Sequence, residues 1–464
     1  MEPTLARDTT DDTPIESRDA LVATLEAGCK PRDAWRIGTE HEKFPFYADT
    51  LTPVPYEGED GRPGIRDLLE GMQARTGWTP ITDDGRIIGL AGGKGEGAIS
   101  LEPGGQFELS GAPVETIHQT CRESNVHLAH AKRVGDDLGI RFLGVGGSPK
   151  WPLDATPEMP KSRYDIMRRY MPKMGENGLD MMHRTCTIQV NLDFASEADM
   201  AHKMWVSTRL QPVASALFAA SPFTDGAPNG WLTWRQAIWL DTDNDRAGLH
   251  RFMAEPGLTF EKYVDWALAR PMYFVVRDGR YIDMTHITFA DFMKEGADGP
   301  DGRLTANMGD WTNHLSTLFP DVRLKQFLEM RGADGGPWRR ICALPALWVG
   351  LLYDGDALDA AEELAAGLPF EAVREMRAAV PAKGLDAPAG NRRVLDVARD
   401  AVALAREGLE RRAKPNVNGD DETHFLAPLE ETVALEQTQA ERMLKSYHST
   451  WERNIDHVFE EYAY

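Results

Sequence analysis

The sequence predicts an α+β protein: a sheet, mixed or antiparallel, flanked by helices, with a helical C-terminal portion. Three features predict it. Short apolar runs broken by glycine clusters, as in "GRIIGLAGGKGEGAISLEPGGQFELSG" from Gly85, are the pattern of antiparallel strands and turns. "TCTIQVNLDF" alternates Ile188, Val190, Leu192 and Phe194 with Gln189, Asn191 and Asp193, giving one apolar and one polar face. From about Leu358 the texture becomes alanine-rich and helical.

Taken in order, residues 1–16 are polar and acidic and are expected to be disordered, leaving residues 17–464 as a single large domain. "DALVATLEAGC" fits a short amphipathic helix, and "RIGTEHEKF" (Arg36 to Phe44) a strand. A loop-rich passage over 48–64 precedes the helix "GIRDLLEGMQART". After the hairpin-like segment the spacing becomes helical from Val114 to Leu138, with Ile117, Cys121, Leu128 and Val134 near one face and Gly139 at the end. "DVRLKQFLEMRGADGG" is strand-like and puts Glu329 and Arg331 on one side, Leu328 and Met330 on the other. Within the C-terminal portion, "VPAKGLDAPAGN" and "KPNVNGDDET" fit loops. There is no internal repeat or low-complexity tract.

Composition excludes several functions. A chain of 464 residues that is 42% hydrophobic can bury a large core. Its formal net charge of −22 opposes binding to nucleic acid or to anionic membranes. The longest apolar run, Ile341 to Tyr353, is too short to span a bilayer, and the N-terminus lacks a basic region followed by an apolar one. A cytoplasmic protein is expected. Cys29, Cys121, Cys186 and Cys342 form no CxxC pair, so neither a zinc site nor a secreted disulfide framework is indicated.

Carboxylates carry the chemical signal. Glu40 and Glu42 share a strand face, roughly 7 Å apart. Glu102, Glu108 and Glu329 recur on the polar faces of two further strand-like segments. The simplest account is that these faces are solvated. Gathered on one face, however, they would repel unless hard divalent cations neutralised them, and Mg²⁺ takes oxygen ligands while sharing substrate phosphates. Extended chain would hold Glu102 and Glu108 about 20 Å apart, so Pro103, Gly104 and Gly105 must turn it. No GxxxxGKS/T phosphate loop, HExxH helix or GxSxG elbow occurs. Any nucleotide phosphates must therefore be held by metals and arginines.

"GTEHEKF", "SLEPGGQFELSGAP", "MPKSRYDIMRRYMPK", "LDMMHRTCTIQVNLDFASEADM", "RPMYFV" and "LEMRGADGGPWRRICALPA" together resemble glutamate–cysteine ligases of the plant and proteobacterial type, in order from about Trp35 to Tyr353. The resemblance implies a glutamine-synthetase-like catalytic fold, in which the sheet is curved and its concave face holds the site. It implies ligation of the γ-carboxyl of L-glutamate to the amine of L-cysteine with ATP, through a γ-glutamyl phosphate, the first step of glutathione synthesis. Carried onto this sequence, it makes Glu40, Glu42, Glu102, Glu108 and Glu329 ligands of Mg²⁺, and Gln189 stands where more distant ligases of the fold have a metal-binding histidine. Arg235 and Arg331 become the guanidinium groups that grip glutamate and the transferring phosphoryl group, a task suited to their bidentate geometry. For Arg331 the competing account is a salt bridge with Glu329. Lys161 and Arg163 become contacts of the ATP phosphates, and Cys121 and Cys342 match a regulatory disulfide of the plant enzymes. Shielding an acyl phosphate from water calls for a mobile loop, for which the glycines of "AGGKGEGAI" qualify. Two alternatives remain open: a glutamate ligase with another amine acceptor, and a non-catalytic metabolite-binding relative. A monomer or homodimer is expected.

Overall fold

The computed structural model describes residues 8–464, so residues 1–7 of the expected disordered N-terminus lie outside the described residues. Strands β1 (Ile37–Tyr47), β2 (Thr79–Asp83), β3 (Arg86–Ala91), β4 (Ala98–Leu101), β5 (Phe107–Ser110), β6 (Ile140–Leu143), β7 (Thr187–Leu192), β8 (Val322–Leu324) and β9 (Leu328–Asp334) form one nine-stranded sheet. Its order is β8-β9-β7-β1-β5-β4-β3-β2, with β6 pairing the second half of β1, and every pair is antiparallel.

Register aligns the two faces. Ile37 and His41 of β1 stand opposite Leu192 and Ile188 of β7, and Leu328 and Met330 of β9 oppose Leu192 and Val190. This apolar face packs under the helices Ile117–Leu138, Glu197–Leu217 and Trp338–Leu352 and supplies much of the main core. The polar face of the same strands therefore turns toward the cavity described below. The helices Gly355–Ala366, Phe370–Lys383 and Val394–Arg412 pack on that helical layer. Among the described residues no single helix is long and apolar enough to cross a membrane.

Four expectations need correction. The helical C-terminal portion begins at Trp338, not near Leu358, because the apolar run 341–353 is a buried helix whose all-round hydrophobicity hides its period. Val380–Lys383 finish a helix rather than open a loop, with Pro381 tolerated in the final turn. Residues 8–16 are not disordered. They run along the helix Met308–Ser316, where Met308 N–H donates to the Thr13 carbonyl (2.9 Å) and Gly309 N–H to the Asp11 carbonyl (2.9 Å). Composition alone could not reveal these backbone bonds to a distant element. Finally, the glycine-rich loop 92–97 joins β3 to β4 and is absent from the cavity lining, so it is not placed to cover the site.

Candidate active site

The turn between β4 and β5 is what brings the carboxylates together. Gly105 N–H donates to the Glu102 carbonyl (2.9 Å), Glu102 N–H donates to the Gln106 carbonyl (3.0 Å), and Gly105 takes a φ of +87° that disfavours a side chain. At Gly104 a Cβ would lie 2.2 Å from the His183 carbonyl oxygen, which leaves glycine as the residue that fits. Glu108 thereby pairs with Glu42 across β5 and β1, Glu40 with Gln189 across β1 and β7, and Glu329 lies opposite Asn191 across β9 and β7. Glu40, Glu42, Glu102, Glu108, Gln189, Lys161, Arg163, Arg235 and Arg331 all line one cavity of about 200 Å³. Glu329 sits fully buried at its wall, held by the lining residues Arg323, Lys325 and Arg331.

The carboxylates divide into two kinds. Glu40 accepts from Asn191 Nδ2 (2.8 Å), Glu42 from Thr187 N–H (2.9 Å) and Glu108 from the Ser100 hydroxyl. None of these donors is a cation, and among the described residues neither these three glutamates nor Glu102 forms an ion pair. Burial, followed by the charges of Glu329 and Glu108, pushes Glu40 up to about 7. Burial and the neighbouring Glu102 and Glu108 push Glu42 well above the usual carboxylate range, and burial with Glu102 also raises Glu108. Glu329 is the opposite case. Arg323 donates to it through two nitrogens (2.6 and 2.9 Å from Nη2, 3.2 Å from Nε), Lys325 lies 3.2 Å away, and Arg331 touches its Oε1. Burial favours its neutral form, but these three cations outweigh it and hold the carboxyl below its ordinary value.

Arg331 lies where β9 slips register between Met330 and Ala333, a bulge that re-aims its side chain toward Gln189 and Glu329. The expected salt bridge with Glu329 is thus present, in a group that also faces the cavity. Arg235 is positioned by a chain of bonds from the same strand. Asp334 accepts from the Thr233 hydroxyl (2.7 Å), and Thr233 Oγ1 caps the short helix Trp234–Ile238 by accepting from Gln236 N–H (3.2 Å). Arg235 is buried, its Nη2 donates to the Arg331 carbonyl (3.0 Å), and its Nε and Nη1 have no partner. Burial accordingly lowers its pKa.

Lys161 and Arg163 flank the start of the helix Ser162–Tyr170. Burial, then Arg163, depresses the Lys161 ammonium to about 8, and its nearest polar neighbour is the Tyr164 hydroxyl at 3.4 Å. Arg163 Nη1 pairs with Asp8 at 3.0 Å, and its Nε is unpartnered.

Sequence reasoning missed Arg323, Lys325, Asn191 and Asp8. A signal existed for the first two: treated as a hairpin, "DVRLKQFLEMRG" pairs Arg323 with Glu329, the register observed. Asp8 gave no such signal, because its partners lie far along the chain.

Cys121 and Cys342 are brought together as free, neighbouring thiols where the helices Ile117–Leu138 and Trp338–Leu352 pack. Both border a second cavity, of about 540 Å³.

Unpaired carboxylates beside an unpaired guanidinium can hold divalent cations and an anionic substrate together, which is the requirement of an enzyme that activates a carboxylate with phosphate. Glutamate-cysteine ligase family 2 (GCS2) matches residues 36–461, and the chain belongs to this family. It is 51% identical over 448 residues to the chloroplastic glutamate–cysteine ligase A of Oryza sativa subsp. indica, covering 97% of this chain and 88% of that one. With the chloroplastic glutamate–cysteine ligase of Arabidopsis thaliana it shares 52% over 450 residues, covering 97% and 83%. Among solved structures, the glutamate–cysteine ligase of Francisella tularensis in complex with AMP superposes with a TM-score of 0.51 at 12% identity, over 89% of this chain and 85% of that one, and shares the fold. The expectation of a cytoplasmic protein is corrected by these relatives, which are named chloroplastic. That expectation rested on the lack of an apolar leader, yet organelle transit segments are amphipathic rather than apolar, so the criterion could not discriminate.

Proposed function

We propose that this ligase joins the γ-carboxyl of L-glutamate to the amine of L-cysteine through γ-glutamyl phosphate, with Mg²⁺–ATP as phosphoryl donor and the cavity above as its site. One observation carries the reading: the cavity holds orphaned groups of both signs. Arg235 Nε and Nη1 have no acceptor, and among the described residues Glu40, Glu42, Glu102 and Glu108 have no cation at ion-pair distance. A substrate carboxylate and divalent metal satisfy both at once, and the oxygen-only donor set suits Mg²⁺. Bound there, the metal would neutralise phosphate charge during transfer. Glu329 fits the metal-ligand role less well than the other four, since three cations already saturate it. We assign it to ordering Arg323, Lys325 and Arg331 until a metal competes for it.

The chain's own residues do the rest by position. Arg235 and Arg331 orient glutamate so that its side-chain carboxylate lies near the transferring phosphoryl group. Lys161 and Arg163 on one side, with Arg323 and Lys325 on the other, neutralise the nucleotide phosphates. The family's substrates and the fold of an AMP-bound relative support the nucleotide. ADP release with glutamate and Mg²⁺, with and without cysteine, tests the reaction, and equal release with other amines would instead favour a different acceptor. No ADP release under any of these conditions would favour a non-catalytic relative.

The adjacent thiols support a reversible Cys121–Cys342 disulfide, which would close a loop of about 220 residues and restrict the unfolded chain by roughly 5 kcal/mol. Free thiols at both positions after mild oxidation, by peptide mapping, would exclude it. We read the protein as a monomer or homodimer, to be decided by light scattering.

A further inference from the structure

Residues 8–14 form a strap whose first two residues, Asp8 and Thr9, lie on the edge of the cavity. At one end Asp8 is buried between Arg163 Nη1 (3.0 Å) and the Tyr281 hydroxyl (2.5 Å). Next, Thr9 N–H donates to Asn313 Oδ1 (2.7 Å), and Asn313 Nδ2 donates to the Thr9 carbonyl (3.0 Å). Asp8, Thr9 and Asn313 line the same cavity as Lys161 and Arg163. Residues 10–14 are exposed, so polar contacts alone fasten this stretch, a hold of the kind that opens locally at low cost. The cavity, of about 200 Å³, is open on one side, and Asp8 and Thr9 occupy part of its rim beside Arg163.

We propose that the strap is an internal competitor: the Asp8 carboxylate holds the guanidinium of Arg163 that a nucleotide phosphate takes on binding, so nucleotide entry and strap release are coupled. The inference rests on the phosphate-binding reading of Lys161 and Arg163 given above. Its physical basis is that a carboxylate and a phosphate compete for the same donor geometry, and that a second anion brought against Asp8 in a buried site is repelled. Arg163 Nε is buried without an acceptor, so Asp8 leaves the guanidinium only partly satisfied.

Michaelis constants of the full chain for ATP and for glutamate, each at saturating co-substrates, test this. Asp8→Asn is expected to lower the ATP value roughly five-fold while the glutamate value holds. A strap with a purely structural role would leave the ATP value unchanged or raise it, and either result overturns the proposal. Arg163→Gln separates the two layers of argument. If it raises the ATP value while Asp8→Asn has no effect, the strap fails and the phosphate contact stands. If it leaves the ATP value unchanged, the phosphate contact fails and the strap with it. Tyr281→Phe, which removes only a hydroxyl donor to Asp8, should shift the ATP value in the same direction by less, and gives the answer should Asp8→Asn not fold.

Discussion

Glu42 and Glu329 stand on the same face of one sheet, on strands separated only by β7, the first partly exposed to the cavity and the second fully buried, and their surroundings are opposite. Glu329 is surrounded by Arg323, Lys325 and Arg331, so its charge is compensated within the fold. Glu42 has a single backbone donor and faces other carboxylates, so its charge opposes the fold until something arrives from outside. The difference teaches how to tell a structural carboxylate from one kept for a ligand. Both feel the cost of desolvation, and what separates them is a cation at ion-pair distance, which Glu329 has three times over and Glu42 lacks, Arg235 acting on it only from farther away.

The largest expected effect breaks the uncompensated side. Glu42→Gln should lower Mg²⁺-dependent turnover on the order of 1,000-fold, since it removes charge that offsets metal and phosphate. Thermal stability without metal should stay level or rise, because the amide keeps the Thr187 bond and ends the repulsion. Near-parental rates at limiting Mg²⁺ would contradict the assignment.

Glu329→Gln should do the reverse. Removing the fully buried partner of Arg323, which is itself buried, and of the partly exposed Lys325 and Arg331 is expected to cost roughly 3 kcal/mol, measured by denaturant unfolding in EDTA. If Glu42→Gln and Glu329→Gln destabilise the metal-free protein equally, the distinction between them is false.

Arg331→Lys probes the boundary between the halves. It keeps the charge, and a single ammonium could replace Nη1, which alone donates to both Glu329 and Gln189, but it loses the planar group that would pair bidentately with a substrate carboxylate, so kcat/KM for glutamate should fall roughly tenfold. Parental kinetics would reduce Arg331 to a salt-bridge partner.

How far these roles were legible from sequence follows the range of the interactions involved. Strand alternation is local, so it exposes Glu40 with Glu42 and Glu329 with Arg331, and the Pro-Gly-Gly turn between Glu102 and Glu108 could be demanded on length alone. The two classes of carboxylate were not legible. Glu329 differs from Glu42 only through Arg323 and Lys325, which require the hairpin register, and through a bulge that no periodicity displays. The cavity wall formed by Asp8, Thr9 and Asn313 joins segments some 300 residues apart, beyond any local pattern. The glycine-rich loop misled for a related reason, since glycine reports backbone freedom and not location.

The smallest expected effect is a pH dependence that sharpens the same contrast. Glu40 rises from 4.5 to about 7 on folding, with burial and then Glu329 and Glu108 as causes. Between these values the folded state binds more protons than the unfolded one, so this group's contribution to stability falls as pH rises from about 4.5 to 7 and is constant above. Glu329, held low, contributes stability above its unfolded value and loses it only as pH falls through its folded value, so it is silent in this window. Other buried groups titrate here as well: Glu123, also raised to about 7 by burial, adds to the slope, and buried histidines such as His314, lowered to about 3 by burial, oppose it. A difference measurement removes both. In EDTA, Glu40→Gln should gain stability relative to the parent as pH rises from 5 to 7.5, by up to roughly 2 kcal/mol, read from paired unfolding curves. Saturating Mg²⁺ should invert the order, because the parent then gains a partner for its ionised carboxylates that the amide cannot match. A difference that stays flat with pH, or an order that Mg²⁺ leaves unchanged, would show that Glu40 carries no uncompensated charge and belongs with Glu329.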